Sequence, residues 1–355
     1  MERRSSIPAA LVAGVLATWL LGAGMAQGAD LLQQPHDNYA GGVAGFRDIP
    51  YQVISGYHPQ TADLYLPTRD KAPHPAVVYV HGGGWGLGSP RMGSNVAMLS
   101  NLAARGFVVM GINYRFHGEA KFPAQIQDVK AAIRWLRSNA AEYGVDTARI
   151  GIWGESAGGY LAALAGTSCG VAALEPKAAA GGPGPGAAGP GATGAGAAGA
   201  APRPAMPGMV TVNSDPKQSD CVQAVVDWYG PVDFPSMDKQ SLAGSMQHAA
   251  PTSAESQLLG CTLAQCPAAL VASSNPITYI DNSDPPFLIM HGDSDHSVPS
   301  GQSSELQRAL ATKGVKVRLV LEPGLDHGFA GASDARLKEI WQVSYDFLGA
   351  TLAGK

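Results

Sequence analysis

The stretch GIWGESAGGYLAALAG, residues 151–166, contains the motif that decides the fold. Residues 154–158, Gly-Glu-Ser-Ala-Gly, fit the pattern Gly-x-Ser-x-Gly, which forms a sharp turn from a strand into a helix. A β-branched run precedes the serine, and an Ala/Leu-rich stretch typical of a helix follows it. Neighbouring backbone crowds such a turn, so only glycine fits two places before and after the serine. The pattern predicts that Ser156 stands exposed at a strand end, as a candidate nucleophile.

Strand-like and helix-like segments alternate on both sides of this motif. The strand-like segments are PAVVYVHG (75–82), GFVVMGINYR (106–115), RIGIWG (149–154), CVQAVVDWYG (221–230), PFLIMHG (286–292) and VKVRLVLE (315–322). The helix-like segments include those at 94–106, 124–144 and 301–314, the second with apolar residues at helical spacing. Alternation with nearly continuous apolar strands predicts a mostly parallel central sheet covered by helices on both faces. In such sheets ligands bind beyond the carboxyl ends of the strands.

Two loops at predicted strand ends carry the partners that a serine nucleophile requires. A serine hydroxyl is a weak nucleophile, so it needs a base to take its proton and a carboxylate to orient that base. For this turn motif the expected chain order is Ser, then Asp or Glu, then His. Asp295 follows one strand, and His327 follows the next. Because parallel strands end at the same sheet edge, we expect Ser156, Asp295 and His327 to meet there.

Other acidic and histidine residues compete for these roles. Asp293 lies nearer its strand end and is the second candidate for the acid, although bonding backbone amides in the turn is its alternative role. Asp326 adjoins His327, but adjacent side chains usually face apart. His81, His291 and His296 fit structural roles better. The histidines without supporting context are His36, His58, His74, His117 and His248.

A glycine-rich loop, YVHGGGWGLGS (79–89), follows the strand-like segment at 75–82. Attack by Ser156 would leave negative charge on a substrate oxygen, and preorganised N–H groups about 3 Å away stabilise such charge best. The loop occupies the position of an HGGG-type oxyanion loop. We assign the oxyanion hole to the amides of Gly83, Gly84, Trp85 and Ala157. A phosphate-binding loop is disfavoured, because the Lys-Ser/Thr ending is missing.

The composition describes one large globular domain. The chain has 355 residues, 45% of them hydrophobic, and a net charge of −4. That length is sufficient to bury a sizeable core. Without a basic surplus or nucleic-acid-binding motifs, a nucleic-acid partner is not expected.

The first 29 residues have the pattern of a secretory signal. Arg3 and Arg4 precede an apolar stretch, and small residues follow through Ala29. A membrane anchor is the alternative, but the apolar stretch is shorter than the ~20 residues of a spanning helix and contains Pro8. We therefore expect cleavage between Ala26 and Ala29, a mature domain from residue 30 to 355, and a secreted or periplasmic protein without stable membrane insertion.

Export permits disulfide bonds, and the sequence contains four cysteines, Cys169, Cys221, Cys261 and Cys266. The simplest pairing is Cys261 with Cys266 and Cys169 with Cys221, although four cysteines allow three pairings. A metal site is not expected, because a Cys-x-x-Cys pattern and nearby histidines are missing.

Two insertions interrupt the alternation. Residues 176–208 are dominated by Ala, Gly and Pro, a composition that predicts a disordered surface insertion. Residues 230–280 fall between two sheet strands and are predicted to form a small helical cap over the pocket. Trp85 and Leu87 are expected to help select the substrate there, whereas Phe234, Met237 and Met246 are interpreted as packing residues.

Four motifs together resemble secreted esterases of the α/β-hydrolase superfamily, in particular the bacterial feruloyl-esterase-like group near the hormone-sensitive-lipase-like carboxylesterases. They are His81-Gly-Gly-Gly-Trp85, Gly-Glu-Ser156-Ala-Gly-Gly, His291-Gly-x-x-Asp295-x-x-Val-Pro299 and Asp-His327-Gly. The resemblance runs from about Asp48 to Leu348, and the Ala/Gly/Pro insertion departs from it.

The resemblance implies an α/β-hydrolase fold and a serine carboxylesterase. Ser156 would be the nucleophile, His327 the base and then the acid, and Asp295 the orienting carboxylate. No cofactor is implied, and the substrate would be a small-molecule or polymer-linked ester. An amidase, formamidase or peptidase with the same triad remains an alternative, and a non-catalytic binding module is disfavoured because every triad residue is present. The motifs leave the particular ester and the oligomeric state open.

Overall fold

A computed structural model of the protein describes residues 35–68, 73–175 and 215–354. The predicted signal segment at 1–29 and the predicted Ala/Gly/Pro insertion at 176–208 lie outside these ranges. Within them, the longest helices have fifteen residues, and no helix is long and apolar enough to cross a membrane.

One sheet of nine strands organises the described part of the chain. The strands are β1 (Asp37–Tyr39), β2 (Val43–Gln52), β3 (Gln60–Leu66), β4 (His74–Val80), β5 (Val108–Ile112), β6 (Val145–Glu155), β7 (Ala224–Trp228), β8 (Phe287–Gly292) and β9 (Val317–Glu322). Their spatial order is β1-β2-β3-β5-β4-β6-β7-β8-β9. Strands from β5 onward in this order pair in parallel, whereas β1, β2, β3 and β5 pair antiparallel. The predicted mostly parallel sheet is confirmed.

Helices cover both faces of this sheet. They are α1 (Asn95–Ala103), α2 (Ala124–Ser138), α3 (Ala140–Tyr143), α4 (Ala157–Thr167), α5 (Met237–Gln240), α6 (Ala254–Leu259), α7 (Ala268–Ser274), α8 (Gly301–Thr312) and α9 (Asp334–Leu348). Side chains of β4 alternate between the two faces. Val78 and Val80 belong to one buried cluster with α2, α4 and α8, whereas Val77 and Tyr79 belong to a second with α1 and α9. The sheet is therefore buried on both sides.

The antiparallel strands at the amino-terminal edge are the part of the sheet that the sequence patterns did not predict. In β2, polar and half-buried residues interrupt the apolar run, and the pairing with β3 shifts register twice. Such a strand lacks the continuous apolar signal of the central strands, because it lies near the sheet edge.

Both disulfides of the simplest predicted pairing are present. Cys169 is bonded to Cys221, with Cα atoms 4.7 Å apart, and Cys261 is bonded to Cys266, with Cα atoms 5.3 Å apart. The first joins the end of α4 to the segment before β7. The second lies in the 230–280 region, where helices α5, α6 and α7 are found.

Candidate active site

Ser156 occupies the turn between β6 and α4. Its backbone has φ 53° and ψ −121°, a conformation that non-glycine residues rarely adopt. The flanking glycines are required by space: a Cβ on Gly154 would lie 2.0 Å from the carbonyl oxygen of Gly158, and a Cβ on Gly158 would lie 2.0 Å from that of Val80. The strand, the tight turn and the helix together hold the Ser156 side chain at the carboxyl edge of the sheet.

The structure brings Ser156, His327 and Asp295 into one hydrogen-bonded chain. The Ser156 hydroxyl donates to His327 Nε2 at 2.9 Å, and His327 Nδ1 donates to Asp295 Oδ2 at 2.7 Å. Asp295 is fully buried, whereas the His327 side chain is one-quarter exposed. This arrangement orients the imidazole so that Nε2 faces the hydroxyl from which it would take a proton.

Asp295 is held as a carboxylate by its surroundings. Burial alone would raise its pKa, but hydrogen bonds from His291 and His327, together with the charge interactions of these residues, keep the pKa well below its usual value. Its other oxygen accepts the backbone N–H groups of Ser297 and Val298, both at 2.8 Å. The acid therefore remains ionised at any pH at which the base is expected to work.

His291 contacts both the Asp295 carboxylate and the backbone that follows it. Its Nε2 lies 2.8 Å from the Val298 carbonyl oxygen and 3.2 Å from Asp295 Oδ2, and the Ser303 hydroxyl lies 2.6 Å from its Nδ1. Because both neighbours of Nε2 are oxygen acceptors, Nε2 carries a hydrogen that is directed at them. The buried His291 thus holds in place the loop after β8 that carries Asp295.

The competing acids contact other partners. Asp293 Oδ1 accepts the backbone N–H of Gly324 at 2.7 Å, which ties its turn to the loop after β9. Asp326 Oδ1 accepts the backbone N–H groups of His296 and His327, and its Oδ2 lies 3.1 Å from His296 Nδ1. Asp326 therefore shapes the backbone at His327 without touching the ring of that residue.

The predicted oxyanion residues line the same cavity as Ser156. Gly83, Gly84 and Trp85 all have positive φ, and a Cβ on Gly83 would lie 2.1 Å from the carbonyl oxygen of Leu87. Ala157 begins α4, and the first amides of a helix have no intrahelical acceptor. These backbone groups are therefore suited to bind a developing negative charge.

The side chains of His81 and Trp85, at the two ends of the His-Gly-Gly-Gly-Trp motif, hold the glycine-rich loop in place. His81 is buried, stacks on Tyr114 with ring centroids 4.6 Å apart, and has Nδ1 2.7 Å from the Gly82 carbonyl oxygen. The Trp85 ring packs edge-on against Tyr160 and Phe234 at 5.2 and 5.6 Å. Packing of this kind keeps backbone donors in position before substrate arrives.

The cavity at this site has a volume of about 380 Å³. The exposed Leu87 is not among its lining residues, and its expected role in substrate selection stays a prediction. Phe234 and Met237 are buried in the core, as expected. Met246, however, is 61% exposed and lines the cavity, so its interpretation as a packing residue is wrong. Further side chains in the lining are Met92, Glu155, Tyr229, His248, Glu255 and Val298.

Tyr229 is a site residue that the sequence patterns missed. Its ring contacts that of His327 edge-on with centroids 4.9 Å apart, and its hydroxyl donates to Glu155 Oε2 at 3.2 Å. The Asn95 amide donates to the other oxygen of Glu155 at 3.2 Å. Tyr229 follows β7 directly, so the rule that sites lie at carboxyl strand ends could have identified it.

Asp227 lies beneath the serine turn, where it is completely buried. A Cβ on Gly159 would lie 2.4 Å from Asp227 Oδ1, which accepts the backbone N–H of Gly230 at 2.9 Å. Burial raises the pKa of Asp227 to about 7, and the Gly230 hydrogen bond offsets only part of this effect.

We expect the Asp227 carboxyl group to make the free energy of unfolding depend on pH. Between its unfolded pKa of 3.8 and its folded pKa of about 7, the folded protein keeps a proton that the unfolded chain releases. The free energy of unfolding should therefore fall with rising pH across this window, by on the order of 4 kcal/mol, and level off above it. In Asp227→Asn this contribution should vanish. Urea unfolding at several pH values tests this, and parallel curves for variant and wild type would contradict it.

A mostly parallel sheet with a serine at its central strand-to-helix turn, an acid and a histidine on the following loops, and a glycine-rich amide loop beside them defines the α/β-hydrolase class. The chain belongs to the BD-FAE family, whose family model matches residues 62–310. The predicted resemblance to esterases of this superfamily is thereby confirmed.

Relatives and solved structures agree with this membership. Esterase LipQ of Mycobacterium tuberculosis is 30% identical over 89% of this chain, and the chain spans 64% of the length of that relative. A truncated carbohydrate esterase from gut microbiota is 29% identical, with a TM-score of 0.64 over 89% of this chain and 99% of that one. A bifunctional GH43-CE protein of Bacteroides eggerthii is 34% identical, with a TM-score of 0.64 over 86% of this chain and 38% of that one.

Proposed function

We propose that this protein is a serine carboxylesterase that cleaves carboxylic esters through an acyl-enzyme on Ser156. The observation that carries the proposal is the continuous hydrogen-bonded chain from the Ser156 hydroxyl through His327 to the buried carboxylate of Asp295. Membership of a family with esterase relatives supports the same chemistry.

In the acylation step, His327 Nε2 takes the hydroxyl proton while Ser156 Oγ attacks the ester carbonyl carbon. The negative charge on the carbonyl oxygen is stabilised by the amides of Gly83, Gly84 and Ala157. Collapse of the tetrahedral intermediate breaks the bond to the alcohol oxygen, which takes the proton from His327. Asp295 stabilises the imidazolium form that exists between these two transfers.

In the deacylation step, water replaces the alcohol. His327 takes a proton from water, whose oxygen attacks the acyl carbon, and the same amides bind the second oxyanion. When the bond to Ser156 Oγ breaks, His327 returns the proton to the serine. The carboxylic acid leaves, and the enzyme is regenerated with no other reactant consumed.

Covalent labelling tests the nucleophile directly. Incubation with paraoxon should transfer a diethylphosphoryl group to Ser156, with loss of p-nitrophenol and of esterase activity, because the activated hydroxyl attacks phosphorus as it attacks a carbonyl carbon. Mass spectrometry of the peptide containing Ser156 checks this. Ser156→Ala is the control, and a label on any other residue would contradict the assignment.

A substrate panel defines the reaction class. It should contain acetylated and feruloylated sugars, short p-nitrophenyl esters, a soluble polyester and matched amides. The carbohydrate esterase among the solved neighbours supports the inclusion of sugar esters. We expect esters to be hydrolysed and the matched amides to react far more slowly; faster cleavage of amides would favour the amidase or peptidase alternative.

We also propose that the protein is exported and acts outside the cytoplasm. The two disulfide bonds and the signal-like first 29 residues support an oxidising compartment. Expression in a bacterium with an intact secretion system should yield a mature chain that begins just after a site between Ala26 and Ala29. Amino-terminal sequencing of the exported protein checks this, and an unprocessed Met1 would contradict it.

A further inference from the structure

Two exposed methionines border the catalytic cavity. Met92 and Met246 are 47% and 61% exposed, and both line the cavity that contains Ser156. Other lining residues, such as Trp85 and Tyr229, are buried. A side chain that lines a cavity and is also open to solvent lies at the opening of that cavity. Met92 and Met246 are therefore called the methionine rim.

The remaining methionines in the described part of the chain are buried. Each is at most 1% exposed, and they are Met98, Met110, Met237 and Met290. Among the described residues, the methionines that are open to solvent are therefore the same two that line the cavity. This coincidence gives the rim a chemical property that the protein interior does not share.

Backbone hydrogen bonds hold both members of the rim in place. The N–H of Met92 donates to the carbonyl oxygen of Ser89 at 3.2 Å, and the Met92 carbonyl oxygen accepts the N–H of Asn95 at 3.1 Å. The N–H of Met246 donates to the carbonyl oxygen of His296 at 3.1 Å. The two thioether groups thus stay near the opening, although they lie on separate irregular segments.

An exposed thioether reacts with peroxides. The sulfur attacks one peroxide oxygen, an S–O bond forms as the O–O bond breaks, and the other oxygen leaves as water. The sulfur loses two electrons and the peroxide gains them, so methionine becomes methionine sulfoxide with no further reactant. Buried thioethers react more slowly, because the peroxide has to reach the sulfur.

The cysteines of this protein do not compete for the peroxide as thiolates. All four cysteines of the chain are paired, Cys169 with Cys221 and Cys261 with Cys266. A free thiolate would otherwise be a preferred target of a peroxide. Among the described residues, the methionine rim therefore contains the sulfur atoms that are most open to oxidation.

Oxidation changes the character of the cavity opening. Methionine is flexible and apolar, whereas its sulfoxide is polar and hydrated. An apolar substrate chain that extends from Ser156 to the opening would have to remove water from the sulfoxide, which is unfavourable. A very short ester stays near Ser156 and avoids this contact.

We propose that the methionine rim, Met92 and Met246, is a site of peroxide modification that controls the range of substrates. Oxidation of the rim lowers the turnover of esters with long apolar chains and leaves the catalytic groups intact. The proposal rests on the esterase function proposed above and adds a chemical regulation of the same site.

The modification itself is measured without reference to catalysis. The purified protein is treated with hydrogen peroxide, and its peptides are analysed by mass spectrometry at increasing times. We expect sulfoxide at both rim methionines well before it appears at the buried methionines, which are the internal controls. Oxidation of the buried methionines at the same rate, or no oxidation of the rim, would overturn the inference.

The catalytic consequence is measured with three esters. Methyl acetate is the short reference, hexyl acetate lengthens the alcohol part and methyl hexanoate lengthens the acyl part. After peroxide treatment of the wild type, kcat/KM for at least one long ester, divided by that for methyl acetate, should fall roughly threefold to tenfold. Labelling of Ser156 by paraoxon should keep its rate, and thermal unfolding should show that the oxidised protein is folded.

The double variant Met92→Leu/Met246→Leu tests whether the rim is responsible. Leucine keeps the apolar character and the approximate volume but has no sulfur. Peroxide should therefore leave the ratio of kcat/KM values unchanged in this variant, whereas any effect of other methionines would persist. If the double variant does not fold, Met246→Leu alone decides, and it should reduce the effect of peroxide.

Leu321→Met in the background of the double variant is the matched control. Leu321 lies on β9, is 43% exposed and does not line the cavity. The new thioether should be oxidised, and the ratio of kcat/KM values should not change. A fall in this ratio would show that an exposed thioether elsewhere has the same effect, which would contradict the role of the rim.

The inference is also overturned if the rim is oxidised and the wild-type ratio does not change, or if the ratio falls equally in the double variant. These failures differ from a failure of the proposed function, which would appear as ester hydrolysis retained in Ser156→Ala. Loss of hydrolysis in that variant together with a peroxide-insensitive ratio in the wild type would refute the regulation alone.

Discussion

Hydrolysis of p-nitrophenyl acetate by Ser156→Ala is expected to be about a millionfold slower in kcat than in the wild type. The reason is geometric: the Ser156 hydroxyl is the group that lies 2.9 Å from His327 Nε2 in the cavity, so its removal leaves the base with nothing to activate for acylation. The residual rate should come from the oxyanion amides and from binding, which the substitution leaves in place. Steady-state kinetics on purified protein measures the effect.

His327→Ala should lower kcat about as much as Ser156→Ala does. The double variant should lower kcat only a little more than either single variant. Residues of a triad act as a unit, so their losses do not add. Equal thermal stability of the three variants would show that the loss is chemical rather than structural. Activity near the wild-type level in either single variant would remove that residue from the mechanism.

Replacement of Asp295 by Asn should have the second large effect, a decrease of about ten-thousandfold in kcat. The ionised carboxylate accepts the Nδ1 hydrogen of His327 at 2.7 Å and thereby leaves Nε2 free to accept the serine proton. A neutral amide does not stabilise the imidazolium, and its NH2 group can stabilise the wrong tautomer. The pH–rate profile and kcat of Asp295→Asn measure the effect.

Asp293→Asn is the matched comparison, because it makes the same chemical change two residues earlier. Asp293 Oδ1 bonds the backbone of Gly324 and not the ring of His327, and an Asn side chain keeps that acceptor. We expect kcat to remain within about tenfold of the wild type. The opposite ranking of the two variants would move the acid role to Asp293.

The hydrogen-bonded group of Ser156, His327 and Asp295 could be predicted because each member follows a strand of the parallel sheet. Ser156, Asp295 and His327 are separated by more than a hundred residues in total, yet each lies just after an apolar run that ends at the same edge. Tyr229 obeys the same rule, but a tyrosine at a strand end has no distinguishing chemical pattern. His291 was expected to be structural, and only its contacts reveal that it supports Asp295.

The 230–280 region was less predictable, because its short helices have no repeated apolar spacing and pack by contacts between distant parts of the chain. Met246 and His248 lie on an irregular stretch, where the sequence gives no direction for a side chain. Glu255 lies on a helix of only six residues, and its partner at position 248 is outside that helix. Their position at the cavity follows from contacts that the local sequence does not encode.

By itself, the sequence determined the parallel sheet, the serine turn and the chain order of the serine, the acid and the histidine that the structure joins by hydrogen bonds. It could do so because apolar periodicity and glycine spacing are local properties. Only the tertiary structure decided the contacts of Asp293, the exposure of Met246 and the burial of the His248–Glu255 pair. These properties depend on which surfaces come together after the elements form, and no short window of residues encodes that.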